Sequence, residues 1–261
     1  MRRPVFALAL FCLVAMIPVP ALGGPPFRTD DPEPVEFKHW EVYIASIYQD
    51  DKDGIAATAP HLEVNYGIFP EFQLHFIFPL EYVKPEGSHS HYGYSDTEIG
   101  LKFRFFDKKD SEESEWMVGT FPILQIPTGS ESKGLGNGDL QFFIPVWLQR
   151  NMGPWTTYGG GGYTINPGDN HKDFWFVGWL VQREINKNFT LGAEIFHETA
   201  REHGGDSNTG FNVGGTINLS ENHHILLSAG RDIDGPNRFS SYIGYQFTFG
   251  PEKEKEPRKP H

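Results

Sequence analysis

Apolar and polar positions alternate with a period of two along most of this chain. Between Phe72 and Tyr82, Phe72, Leu74, Phe76, Phe78, Leu80 and Tyr82 fall on one face. Gln73, His75, Ile77, Pro79 and Glu81 fall on the other. Leu62, Val64 and Tyr66 alternate in the same way with His61, Glu63 and Asn65, as do Ile99, Leu101, Phe103 and Phe105 with Glu98, Gly100, Lys102 and Arg104. A two-residue period sends successive side chains to opposite sides of an extended strand, so each segment is a ribbon with one greasy and one polar face. Twelve such strands are expected, over residues 40–48, 58–66, 72–82, 96–106, 116–126, 139–150, 155–165, 173–184, 189–199, 209–219, 224–231 and 238–249. Most have the ~9–11 residues that a tilted strand needs to cross a bilayer, well above the ~5–6 of soluble sheets. The expected fold is all-β: a transmembrane antiparallel up-and-down β-barrel. A soluble periplasmic β-sandwich is the main alternative.

The connections support the barrel. Gly67 to Glu71, Asn151 to Pro154, Ile185 to Asn188 and Ser220 to His223 read as tight turns. Between them lie longer polar loops at Val83 to Ser95, Pro127 to Gly138, Asn166 to Lys172 and Ala200 to Asn208. Short turns at one end and long loops at the other characterise outer-membrane barrels. If the first strand runs outward, both termini are periplasmic. Asp107 to Glu115 breaks the rule, being long and charged for a periplasmic turn. Tyr66, Phe69, Phe72, Trp155 and Phe189 suit a girdle at the lipid–water boundary. Pro79, Pro122 and Pro145 fall inside expected strands, where a missing N–H demands a bulge or a strand end. Gly159 to Gly162 make a weak strand core, which close approach of another backbone or an inward plug would explain.

The N-terminus sets the compartment. Arg2 and Arg3 precede an apolar run from Pro4 to Val19, and Pro20-Ala21-Leu22-Gly23 supplies small residues for cleavage, the three parts of a secretory signal. Cleavage near Gly23 leaves 261 − 23 = 238 residues. The sole cysteine, Cys12, lies in that signal, so the mature chain is expected to use neither disulfide nor thiolate. The formal charge of −12, or −14 without Arg2 and Arg3, argues against nucleic acid as a partner. The organisation expected is a signal peptide (1–23), a periplasmic N-terminal segment (24–39), an outer-membrane barrel (40–249) and a disordered charged tail (250–261).

Three stretches carry a family resemblance: Ile99-Gly100-Leu101-Lys102-Phe103-Arg104-Phe105, Ile126-Pro127-Thr128-Gly129, and Trp147-Leu148-Gln149-Arg150 followed by Gly153-Pro154-Trp155-Thr156-Thr157-Tyr158 and the four glycines 159–162. They resemble a family of outer-membrane transporters named for the meta pathway of phenol degradation. The resemblance covers about Trp40 to Phe249. It implies transport of small hydrophobic or aromatic compounds, without establishing that this chain carries one. The last strand, Tyr242 to Phe249, resembles the terminal signal read by the barrel assembly machinery, although the eleven residues Pro251 to His261 follow it.

Candidate chemistry is sparse. His89-Ser90-His91 and His223-His224 lack a third ligand and read as solvated loop histidines. His61 and His75 fall on the polar side. Ser228 and Ser240 have no nucleophile motif, so no catalytic residue, metal or cofactor is expected. The informative set is Glu63, His75, Glu81, Glu98, Lys102, Arg104 and Glu194, all opposite an apolar face and hence lumenal. Mutual pairing is the role favoured for them, with solute selectivity the alternative. A twelve-stranded lumen is narrow, or blocked by a loop or by Gly24 to Lys38, whose four prolines and several acids lack strand character. The expected function is a channel or passive transporter for small molecules in the outer membrane. A non-transporting surface barrel or a lipid-modifying enzyme is the alternative. The partners expected are outer-membrane lipid, the assembly machinery and an unknown solute.

Overall fold

The computed structural model describes residues 24–251. The expected signal peptide and the tail beyond residue 251 lie outside them. Period-two alternation becomes one antiparallel sheet closed on itself. Its strands are β1 (Trp40–Asp51), β2 (Gly54–Phe69), β3 (Phe72–Pro85), β4 (His91–Tyr94 and Thr97–Ser111), β5 (Ser114–Thr120 and Ile123–Ile126), β6 (Gln141–Met152) and β7 (Trp155–Ile165). Then come β8 (Phe174–Asn186), β9 (Phe189–Glu198), β10 (Asn208–Asn218), β11 (His223–Asp234) and β12 (Asn237–Phe249). With the two broken strands each counted once, there are twelve, the number expected. β1 pairs with β12 from Trp40↔Phe249 to Asp51↔Asn237, which closes the ring and leaves no edge strand.

Alternation fixes inside and outside. In β8, Phe174, Phe176, Leu180 and Gln182 are buried while Trp175, Val177, Trp179 and Val181 are exposed. Ile44, Ile144, Ile195 and Ile243 add to this outward apolar band. Aromatic rings crowd the end holding both chain ends of the barrel. Trp40 and Tyr66 lie 4.3 Å apart, Phe72 and Phe103 4.2 Å, and Phe247 and Phe249 5.2 Å.

Connections at that end are short: residues 70–71, 112–113, 153–154, 187–188 and 219–222. The longer ones, 127–140, 166–173 and 199–207, lie at the other end. Two loop expectations are corrected. Asp107 to Glu115 is an extension of the β4–β5 hairpin, paired out to Ser111↔Ser114 around a two-residue turn. Its charges are tolerated because it runs past the apolar band. Val83 to Ser95 shrinks to residues 86–90, because β3 continues to Pro85 and His91–Tyr94 pairs back onto it.

The prolines mark irregular wall. Pro122 occupies the break in β5, where Leu101 N–H donates to its carbonyl at 3.0 Å. Pro79 lies where the β2–β3 register skips from Thr58 to His61. Pro145 stays in the ladder opposite Gly162. At the break in β4, Asp96 Oδ1 accepts Gly129 N–H at 2.9 Å and Oδ2 accepts Asn137 N–H at 2.7 Å. Thr128 Oγ1 donates to Ser95 carbonyl at 2.9 Å and accepts Thr97 N–H at 2.9 Å. The Ile126-Pro127-Thr128-Gly129 motif is therefore the clasp that ties the longest loop to the broken wall.

Candidate functional site

The N-terminal segment, expected as periplasmic chain or as a filler of the lumen, takes the second place. It rises from β1 through the rim, where Lys38 N–H donates to Gly67 carbonyl at 2.7 Å and Gly67 N–H to His39 carbonyl at 3.0 Å. Above the rim it lies inside the ring. Val35 N–H donates to Gln73 Oε1 at 2.9 Å, and Gln149 Nε2 to Glu33 Oε2 at 3.1 Å. Proline-rich chain cannot pair as a strand for want of N–H donors, so lumen side chains satisfy the backbone instead. Glu194 Oε1 and Oε2 accept the N–H groups of Arg28 and Thr29, both at 2.8 Å. Ser228 Oγ donates to Pro26 carbonyl at 2.6 Å.

Charge pairing completes the hold. Lys102 Nζ lies 2.9 Å from Asp30 Oδ1 and 3.5 Å from Asp31 Oδ1. Arg28 lies 2.8 Å from Glu198 Oε2, and its guanidinium stands over the Phe196 ring at 4.4 Å. Such charge-assisted bonds are stronger than neutral ones. The wall is carved to fit: a Cβ on Gly178 would overlap Thr29 Oγ1, and one on Gly192 would lie 3.3 Å from Phe27.

Beside the segment a cavity of about 550 Å³ remains. Its wall has two characters. β1, β2, β3 and β12 present polar groups. Tyr43 hydroxyl donates to Glu41 at 2.8 Å and accepts from Gln246 at 2.8 Å, Asn65 Nδ2 donates to Glu63 at 2.8 Å, and His75 Nδ1 bonds Asn65 Oδ1 at 2.7 Å. Across the lumen Phe121, Trp147, Phe176 and Phe196 form one buried cluster, with Ile123 and Phe143 against it.

The sequence-selected residues divide. Glu63, His75, Glu98 and Lys102 line the cavity. Glu194 is buried in the lumen and grips the segment. Glu81 accepts the Ser95 hydroxyl at the break in the wall and does not line the cavity. Arg104 is outside the cavity too; it bonds Glu71 at 2.7 Å and stiffens the β2–β3 turn. Alternation applied to β1 and β9 would have found Glu41, Tyr43 and Glu198. Asp30 and Asp31 carry no periodic signal, and the inward aromatic cluster is masked in sequence because β8 is apolar on both faces.

Residues 50–249 match a family model described as "Putative MetA-pathway of phenol degradation". No curated protein matches the chain in sequence. Among solved structures, the COG4313 outer membrane channel from Pseudomonas putida F1 is similar with a TM-score of 0.72 at 13% identity, over 84% of this chain and 98% of that one. The KdgM porin in complex with disordered oligogalacturonate gives 0.53 at 12%, over 80% and 99%. The NanC porin gives 0.54 at 10%, over 79% and 98%. At these identities the likeness concerns the fold.

Proposed function

Starting from the fact that this chain belongs to the family described as the "Putative MetA-pathway of phenol degradation", we propose that it is a passive outer-membrane channel for small molecules. In this reading residues 1–23 are a signal cleaved near Gly23, the apolar band meets lipid, and the long loops face the medium. A closed ladder supports it, because a ring without edges leaves no backbone group unpaired in hydrocarbon. The observation that carries the reading is the cavity left beside the N-terminal segment, inside a ring whose outside is apolar. The aromatic wall favours solutes with a flat apolar body, in line with the small hydrophobic or aromatic compounds that the resemblance implies.

The chain is read as a non-enzyme: Ser228 spends its hydroxyl on Pro26, and Ser240 donates to Asn212 Oδ1 at 3.4 Å. The final strand Tyr242 to Phe249 is read as the contact with the assembly machinery. Conductance in a planar bilayer tests the proposal. Discrete channel currents from the full chain are expected. A folded, inserted barrel that carries none, and still carries none once residues 24–35 are deleted, would make it a non-transporting surface barrel instead.

A further inference from the structure

Three buried acceptor oxygens without hydrogen-bond partners gather at the long-loop end of the lumen. Asp232, on the inward face of β11, is 4% exposed. Its Oδ2 accepts Asn237 N–H at 3.0 Å, while Oδ1 has no partner. Asn237, at the start of β12 and 9% exposed, leaves its Oδ1 unpartnered, and so does Asn208 at the start of β10. They meet at the β11–β12 turn. A Cβ on Gly235 would overlap Asp232 Oδ2 and lie 2.6 Å from Asn208 Cβ. From across the β10–β11 ladder, a Cβ on Gly210 would stand 2.7 Å from Asp232 Oδ1. Asp51 pairs with Asn237 in the closing ladder and brings a second carboxylate to the same height.

The Asn208 amide faces the Asp232 carboxylate, and Arg28 lies within electrostatic reach of Asp232 and Asp51, yet the three oxygens themselves keep no hydrogen-bond donor, and such a set takes further positive charge. The cations nearby are already engaged. Glu198 holds Arg28 at 2.8 Å and Arg201 at 2.6 Å, Lys52 pairs with Asp206, and Arg238 lies 3.9 Å from Asp50. We propose that Asp232, Asn208 and Asn237, with Asp51 at their edge, form a calcium-binding site that ties the ends of β10, β11, β12 and β1 together. Calcium takes carboxylate and amide oxygens in irregular geometry, whereas magnesium demands a near-ideal octahedron and zinc prefers nitrogen and sulfur. The described residues hold no group of three His, Cys, Asp or Glu side chains that could hold a metal. This site differs in using one central carboxylate with two amides. It goes beyond the channel reading, since it concerns how the strand ends are held together and not what passes; of its three central residues only Asn237 lines the cavity.

The test uses the full chain refolded in detergent without lipopolysaccharide and stripped with EDTA. Terbium serves as the calcium probe, read by its luminescence lifetime in H₂O and D₂O. One terbium per chain is expected, with part of its water shell removed, displaced by calcium and not by equal magnesium. Asp232→Asn should weaken calcium at least tenfold, and Asn208→Ala severalfold. Asp169→Asn, on a neighbouring exposed loop, should leave binding unchanged. If Asp232→Asn does not refold, Asn208→Ala decides. Wild-type terbium with a full water shell, or binding untouched by the substitution that decides, would overturn the proposal.

Discussion

Lys102 is the residue on which the lumen turns. Its side chain is 5% exposed and holds Asp30 and Asp31 together. Removing one partner of a buried ionic group leaves the others uncompensated, at a cost of about 3–5 kcal/mol. A folded barrel migrates anomalously on an SDS gel until it is heated; Lys102→Met should therefore lower the temperature at which that band shifts, and Asp30→Asn with Asp31→Asn added should restore part of it. An unshifted band in the single variant would mean that the pairing holds nothing. Gly178→Leu acts on the same contact from the other side, since its Cβ would overlap Thr29. It should make residues 24–35 accessible to protease in folded protein. Alternation in sequence was enough to put Lys102 and Glu63 in the lumen. It could not pair Lys102 with Asp30, because a segment without period has no face to read.

At the scale of elements, strand number, order and outward face were all legible, because each strand has one apolar side. What failed were the ends. The charges from Asp107 to Glu115 look like loop, yet their backbone pairs as hairpin. His91–Tyr94 looks like loop because Pro85-Glu86-Gly87-Ser88 precedes it and Ser95-Asp96 breaks the pattern after it. In sequence the Ile126-Pro127-Thr128-Gly129 stretch is a family mark. Its physical content is the clasp on Asp96. Asp96→Ala should free residues 127–140, so that limited proteolysis cuts within that loop while the barrel still resists SDS at room temperature. Equal resistance of loop and barrel would show that the clasp is dispensable. Single cysteines at Leu74, Leu101 and Ile243, in a chain whose residues 24–261 hold no other thiol, should carry spin labels that a lipid-dissolved quencher reaches. Shielding at all three would place a second layer against the wall.

For the whole molecule, the cavity lining carries seven acids (Asp30, Glu33, Glu36, Glu41, Glu63, Glu98 and Glu198) and three bases (Arg28, Lys102 and Arg201). Fixed charge of one sign along a narrow path selects the opposite sign. Burial raises the Glu33 carboxyl to about 7, so a reversal potential under a salt gradient at alkaline pH should show potassium preferred over chloride, and a chloride preference there would contradict the reading. Deletion of residues 24–35 should raise unit conductance severalfold, because the segment occupies the lumen that the ring encloses.

The segment also acts as an internal brace. It leads directly into β1, and β1 meets β12 only when the last ladder zips. Its bonds to Lys102 on β4, Glu194 on β9 and Ser228 on β11 reach walls that the closing ladder does not join, so the filling braces the ring from within. A folded domain fused ahead of Gly24 and too wide for the bore should then yield a hollow cylinder.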